Sequence, residues 1–134
     1  MINIVNLHKK KKIDKKEVEK IAEKAIRRFR KKPEALEINL VFVTDAFIKK
    51  LNRTYRHKNA PTDVLCFPIS KKQADIYISL DAAKYNSKRF KTDFNAEVYL
   101  YVIHGILHML GYRDNAKCEK SKMEKLQFSL LERL

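Results

Sequence analysis

Glycine, proline and cysteine are scarce in this chain and tryptophan is absent, and each shortage excludes something. Two glycines and three prolines among 134 residues leave no composition for linkers or low-complexity tracts, and no repeat is visible. One domain over residues 1–134 is therefore expected. Both cysteines, Cys66 and Cys118, stand alone without a C-x-x-C neighbour. That disfavours a disulfide framework or a zinc ribbon and fits a reducing, cytoplasmic setting. Long apolar runs are missing too, since the longest, Val98 to Ile103, is far too short to cross a bilayer. The opening Met1–Leu7 segment has its basic run after the apolar residues and no small-residue cleavage site, so a secretory signal is not expected.

Negative charge is in short supply. Sixteen Asp and Glu face thirty Lys and Arg, a formal net charge of +14. Such an excess is the electrostatic footprint of a protein that meets a polyanion. Lysine-rich surfaces also arise from genomic composition or thermophily, so charge alone does not assign a partner. No helix pairs a basic face with an exposed aromatic one, and a membrane partner is not expected.

Hydrophobic spacing lays out the elements. Ile2–Leu7 reads as a strand, ended by His8 and the run Lys9 to Lys12. Asp14, with Glu17 three residues on, makes a capping-box-like helix start. Val18, Ile21, Ala22, Ala25, Ile26 and Phe29 form the apolar face of that helix, and Pro33 follows its end. Leu36–Val43 is a second strand. Asp45 is expected to cap a short helix carrying Phe47, Ile48 and Leu51, and Asn52–Pro61 reads as a polar, basic loop. Val64–Phe67 and Ile76–Ile78 are two further strands, joined by a lysine-rich turn around Lys71. Helices are predicted over Leu80–Phe90 and Phe94–Leu110, the second apolar nearly all round, as for a helix within the core. Gly111 stands where a C-terminal stop belongs, and a last amphipathic helix carries Met123, Leu126, Leu130, Leu131 and Leu134. This order predicts an α+β fold, with one mixed, mostly parallel four-stranded sheet packed by about five helices.

Chemistry concentrates in His104-Gly-Ile-Leu-His108-Met-Leu-Gly111-Tyr-Arg-Asp114. Histidines four apart project from one helix face, which is what a divalent metal needs from two imidazoles. Gly111 breaks the helix and lets Asp114, three residues on, return to the same ion as a third ligand. The spacing is formally that of metzincins with a carboxylate third. Both glycines of the chain fall inside this segment. A single histidine on an apolar helix is usually a hydrogen-bonded core residue, but two on one face bring polar nitrogens that are costly to bury without a purpose. Asp114 can equally cap the last helix, and the two roles are compatible if different oxygens serve them. His57 and Cys118 are outside candidates for third ligand. Zinc peptidases of this spacing place a glutamate base directly after the first histidine. Gly105 occupies that position here, which disfavours a peptidase.

The segment then resembles the YbeY family of bacterial endoribonucleases, also described as ribosomal RNA maturation factors. Its signature H-G-x-L-H-x-x-G-Y-D-H is similar to His104–Asp114. A second, P-T-D-V-L-S-F-P, is similar to Pro61–Pro68, with Cys66 in place of serine. Leu51-Asn-Arg-Thr-Tyr-Arg56 matches L-N-x-x-Y-R, and Ala74-Asp75-Ile76 matches a G-D-I strand with alanine for glycine. The resemblance spans nearly the whole chain. It implies a zinc-type metal held by three histidines, cleavage of single-stranded RNA, and small-subunit ribosomal RNA processing with ribosome quality control. His104 and His108 carry over as ligands, and Arg56 as a basic residue for catalysis or RNA contact. The family's D-H is Arg113-Asp114 here, so a carboxylate replaces an imidazole. Two histidines and a carboxylate suit one divalent ion per chain, zinc foremost, with iron, manganese or nickel admitted by the oxygen ligand.

The expected chemistry is metal-assisted RNA hydrolysis on His104, His108 and Asp114. Arg56 would clamp the scissile phosphate, while Arg53 and Lys58 of the same loop guide the strand. The motif offers no general base. Ribosomal RNA is the expected partner, the ribosome or its proteins a further one, and DNA is not expected. Two other readings stay open: a ribosome-associated RNA-binding factor with a structural metal, and a metal-dependent hydrolase of a small phosphorylated or amide substrate. Tyr101 and Tyr112 can stack on bases, though aromatic residues beside a buried helix more often pack, and Cys66 reads as a small buried strand residue.

Overall fold

The computed structural model of the chain describes residues 1–29 and 35–111. The predicted last helix, together with Tyr112, Arg113, Asp114 and Cys118, lies outside them. Eight elements follow in order: β1 (Ile2–Asn6), α1 (Lys15–Phe29), β2 (Glu37–Val43), α2 (Asp45–Arg56), β3 (Val64–Pro68), β4 (Gln73–Ser79), α3 (Leu80–Phe90) and α4 (Phe94–Met109). They form the expected α+β fold. The four-stranded sheet runs β1-β2-β4-β3, with β1, β2 and β4 parallel and β3 antiparallel at one edge.

Alternation within the strands decides which face is covered. Ile38, Leu40 and Phe42 on β2 pair in register with Ile2, Ile4 and Asn6 on β1, and with Ala74, Ile76 and Ile78 on β4. Their apolar side chains point to one face, where α1, α3 and α4 bury them. Residues of opposite parity face the other way. Asn3 donates to Asn39, and Asn39 donates to Asp75, a polar ladder across three strands. A one-residue slip would carry that ladder into the core, so it fixes the register. On this second face α2 packs Ile48 against Val43 and Leu65.

Among the four described helices, α4 buries the most residues. Val98, Tyr101, Val102, Ile103, Gly105, Ile106 and Leu107 are all buried, and each fully buried aliphatic side chain contributes about 1.5–3 kcal/mol. Asp93 caps its start by accepting from the Ala96 amide. Gly111, at φ 100°, takes the left-handed turn that ends it and donates its amide to the His108 carbonyl.

Two local expectations are corrected. The cap of α2 is Thr44, whose hydroxyl accepts the Phe47 amide; Asp45 occupies the first turn instead. Helix α2 also runs on to Arg56 before His57 turns left-handed, so Asn52–Arg56 is helix and not loop. Asn52 is buried there and donates its side-chain amide to the Ala60 carbonyl, tying the following segment back onto the helix.

Candidate metal centre

On α4 the helical repeat brings His104 and His108 together. Their Nε2 atoms approach to 2.9 Å, and their ring centroids lie 4.5 Å apart. Both are half-buried, next to the buried Ile103, Gly105, Ile106 and Leu107. A neutral pair at this distance shares one proton, one ring donating and the other accepting. The separation is also close to the ~3.3 Å that two imidazole nitrogens take across one tetrahedral zinc ion. The chemistry of these two donors fits a borderline divalent cation, for which two imidazoles would be part of a ligand set. Among the described residues no group of three His, Cys, Asp or Glu comes together to hold an ion. This removes His57, the exposed C-cap of α2, from the candidate third ligands.

Gly105 explains the packing behind the pair. A Cβ there would meet the Ile76 Cγ2 methyl at 2.5 Å and Val64 Cγ1 at 3.3 Å. The position directly after His104 therefore faces the sheet at van der Waals distance. A glutamate base at this place would collide with β4, a structural reason against the peptidase reading.

Arg56 reaches edge strand β3 from the other side. Ser79 donates its amide to the Asp63 carbonyl and Ile69 to the Gln73 carbonyl. Alternation then turns the Cys66 amide and carbonyl away from the sheet. The Arg56 Nη2 donates to that carbonyl at 2.9 Å, and its guanidinium lies 5.5 Å from the centre of the Phe67 ring. Tyr55 and Tyr77 both meet Phe67 edge-on. β3 is thus where the histidine helix, through Gly105 and Val64, and Arg56, through Cys66, meet the same strand. Cys66 itself is half-buried; burial pushes its thiol up to about 11 against the pull of Arg56, so it is protonated at neutral pH. Arg53 and Lys58 are exposed, but not on one loop: Arg53 and Arg56 share the last turn of α2, and Lys58 follows its C-cap.

Two features had no sequence signal, because each is assembled from distant segments. The first is an ionic cluster at the start of α3. Asp81 accepts from His8 Nε2 at 2.9 Å, from Lys11 Nζ at 3.0 Å and from the Asp45 amide at 2.9 Å. His8 Nδ1 accepts the Lys10 and Lys11 amides, which assigns the ring proton to Nε2. The second is a cavity of about 500 Å³ lined by Asp45, Thr62, Asp63, Tyr85 and Asn86, among others. Its lining includes neither His104 nor His108. Asn86 donates to the Tyr101 hydroxyl at 2.6 Å, and Tyr101 sits one helical turn before His104. Burial pushes the Tyr101 phenol up to about 12, so it is neutral.

Among the described residues no helix is long and apolar enough to cross a membrane. The family model described as endoribonuclease YbeY matches residues 3–134. The endoribonuclease YbeY of Karelsulcia muelleri is 39% identical over 92 residues, which is 66% of this chain and 65% of that protein. The one from Chlorobium luteolum is 34% identical over 103 residues, 75% of each chain. The chain therefore spans between 65% and 75% of the length of these two relatives. A solution structure of a Thermotoga maritima protein superposes with a TM-score of 0.66 at 30% identity, covering 99% of this chain and 91% of that one.

Proposed function

The chain belongs to the YbeY endoribonuclease family, and on that premise we propose that it is a single-domain, metal-dependent endoribonuclease. It cleaves single-stranded RNA in the maturation and quality control of small-subunit ribosomal RNA, in the cytoplasm. The observation that carries the metal is the convergence of His104 Nε2 and His108 Nε2 at 2.9 Å within the buried stretch Val102–Leu107 and the turn after it. Asp114 completes the ligand set in this reading, and zinc is the ion it fits first, with iron, manganese or nickel as alternatives. Such an ion supplies Lewis acidity towards a phosphoryl oxygen.

The chain's own residues do the rest. His104 and His108 would hold the ion through the lone pairs of their Nε2 atoms. Arg56 spends one Nη on the Cys66 carbonyl and keeps further N–H donors for a phosphate. Its anchoring on β3 fixes the guanidinium before substrate arrives, which lowers the cost of orienting it. Arg53 and Lys58 extend the positive surface along which a strand runs, and the ribosome is the expected setting.

The test combines metal content by mass spectrometry with cleavage of a labelled single-stranded RNA. Wild type, His104→Ala/His108→Ala, Asp114→Ala and Arg56→Ala are purified identically. Bound metal is expected to vanish in the double variant and fall in Asp114→Ala. Cleavage should drop at least ~100-fold in the double variant, and in Arg56→Ala with metal retained. Unchanged metal in the double variant sinks the ligand assignment. Equal residual cleavage in all four proteins makes the chain an RNA-binding factor instead.

A further inference from the structure

The cavity beside the metal centre occupies a definite place in the topology. After β2 the chain leaves for α2 on one face of the sheet, and after adjacent β4 it leaves for α3 on the opposite face. A crevice opens where neighbouring parallel strands send their connections apart, and that is where open α/β sheets place ligands. Asp45, just beyond β2, and Tyr85 and Asn86, on the helix after β4, line this cavity. Asp63 closes it from the start of β3.

In a chain of net charge +14, the described lining contains two carboxylates and no lysine or arginine. A phosphate is repelled by such a wall. One oxygen of each carboxylate is engaged: Asp45 accepts the Ser79 hydroxyl at 2.6 Å, and Asp63 accepts the Val64 amide at 2.8 Å. The second oxygens make no hydrogen bond among the described residues and remain acceptors for N–H groups. The Asn86 amide adds a carbonyl oxygen, its nitrogen giving one of its two hydrogens to the Tyr101 hydroxyl. Tyr85, 65% exposed, carries a flat ring to the rim. Acceptor-rich walls beside an exposed aromatic suit a planar group bearing amino hydrogens.

We propose that this cavity is the nucleobase subsite of the RNA-cleaving centre and selects an amino-bearing base, guanine, cytosine or adenine, over uracil. The inference rests on the endonuclease reading above. Guanine presents two parallel N–H donors that match one carboxylate, and cytosine and adenine present one exocyclic amine each. Uracil offers a single N–H between two carbonyls, which the carboxylates repel. Position supports the pairing of subsite and metal centre. Asp63 is followed by Val64, which packs beside Gly105, and Asn86 holds Tyr101 one turn from His104. A strand whose base enters the cavity thus has its backbone next to the histidine pair.

Fluorescence anisotropy with five-nucleotide RNAs tests this, comparing all-uridine with the same strand carrying one central guanosine, cytidine or adenosine. Wild type should bind the amino-bearing strands at least about fivefold more tightly. Tyr85→Ala should lose roughly tenfold in affinity for them through lost stacking, and Asp63→Asn should flatten the preference. Tyr85 is exposed, so its variant decides the matter if Asp63→Asn fails to fold. Equal affinity of wild type for all four strands, or no effect of Tyr85→Ala on any, overturns the subsite while cleavage of longer RNA leaves the endonuclease reading standing. Absence of any RNA binding or cleavage by wild type overturns both.

Discussion

One methyl group measures how closely α4 lies on the sheet. Gly105→Ala places a carbon 2.5 Å from a methyl of Ile76, a branched side chain held in the middle of β4 with little freedom to retreat. Overpacking of this kind costs about 1–3 kcal/mol, and the better helix propensity of alanine returns about 1 kcal/mol. Urea denaturation should therefore show a net loss of up to about 2 kcal/mol, together with weakened metal binding as α4 shifts. A variant as stable as wild type would mean that the helix is free to lift. At this scale the sequence was legible for the histidines, because the i, i+4 spacing fixes their shared face whatever the surroundings. Gly105 was legible only as a missing base; its contact with Ile76 joins residues far apart in the chain and has no local signature.

Elements report on their ends. Strand and helix ends meet at Asp81, where burial pushes the carboxyl up but the hydrogen bonds from the Asp45 amide, His8 and Lys11 outweigh it and hold it at about 2. The folded value lies below the ordinary carboxylate value of about 3.9. The stabilisation is therefore present above that value and is lost as pH falls from about 3.9 through about 2. Asp81→Asn should lower the thermal midpoint at neutral pH, and the gap to wild type should close over this acid window. A gap that persists unchanged at the acid end would assign the effect to packing instead of charge. The bounds of α3 and α4 were readable because their apolar residues keep helical spacing up to a cap or a glycine. The end of α2 was not, since Asn52–Arg56 is polar and the bond that ties it down, from Asn52 to Ala60, runs to a later segment. Thr44 and Asp45 are both good capping residues, and sequence alone does not choose between neighbours.

For the whole molecule, the charge of +14 predicts how RNA is bound. A single strand releases counterions with a slope of about −0.7 per phosphate contacted. Contact with about four to six phosphates along the Arg53, Arg56 and Lys58 surface gives a log–log salt slope of roughly −3 to −4. Titrations at a series of salt concentrations should find it, and a slope near zero would favour a small-molecule substrate. The fold class was legible because alternating strand and helix patterns in this order leave few ways to build a sheet. The sequence did not disclose which segments meet at the carboxyl ends of β2 and β4, where the acidic cavity lies.

Arg56 carries one more consequence, for the behaviour of the protein in solution. β3 is an edge strand, and an edge with unpaired backbone groups invites another chain to add a strand. By occupying the outward carbonyl of Cys66, the guanidinium proposed to meet a phosphate also blocks that docking line. Losing Arg56 is therefore expected to remove the proposed phosphate contact and a guard against self-association together. An Arg56→Ala preparation is informative about chemistry only when sedimentation shows that it has kept the association state of the wild type.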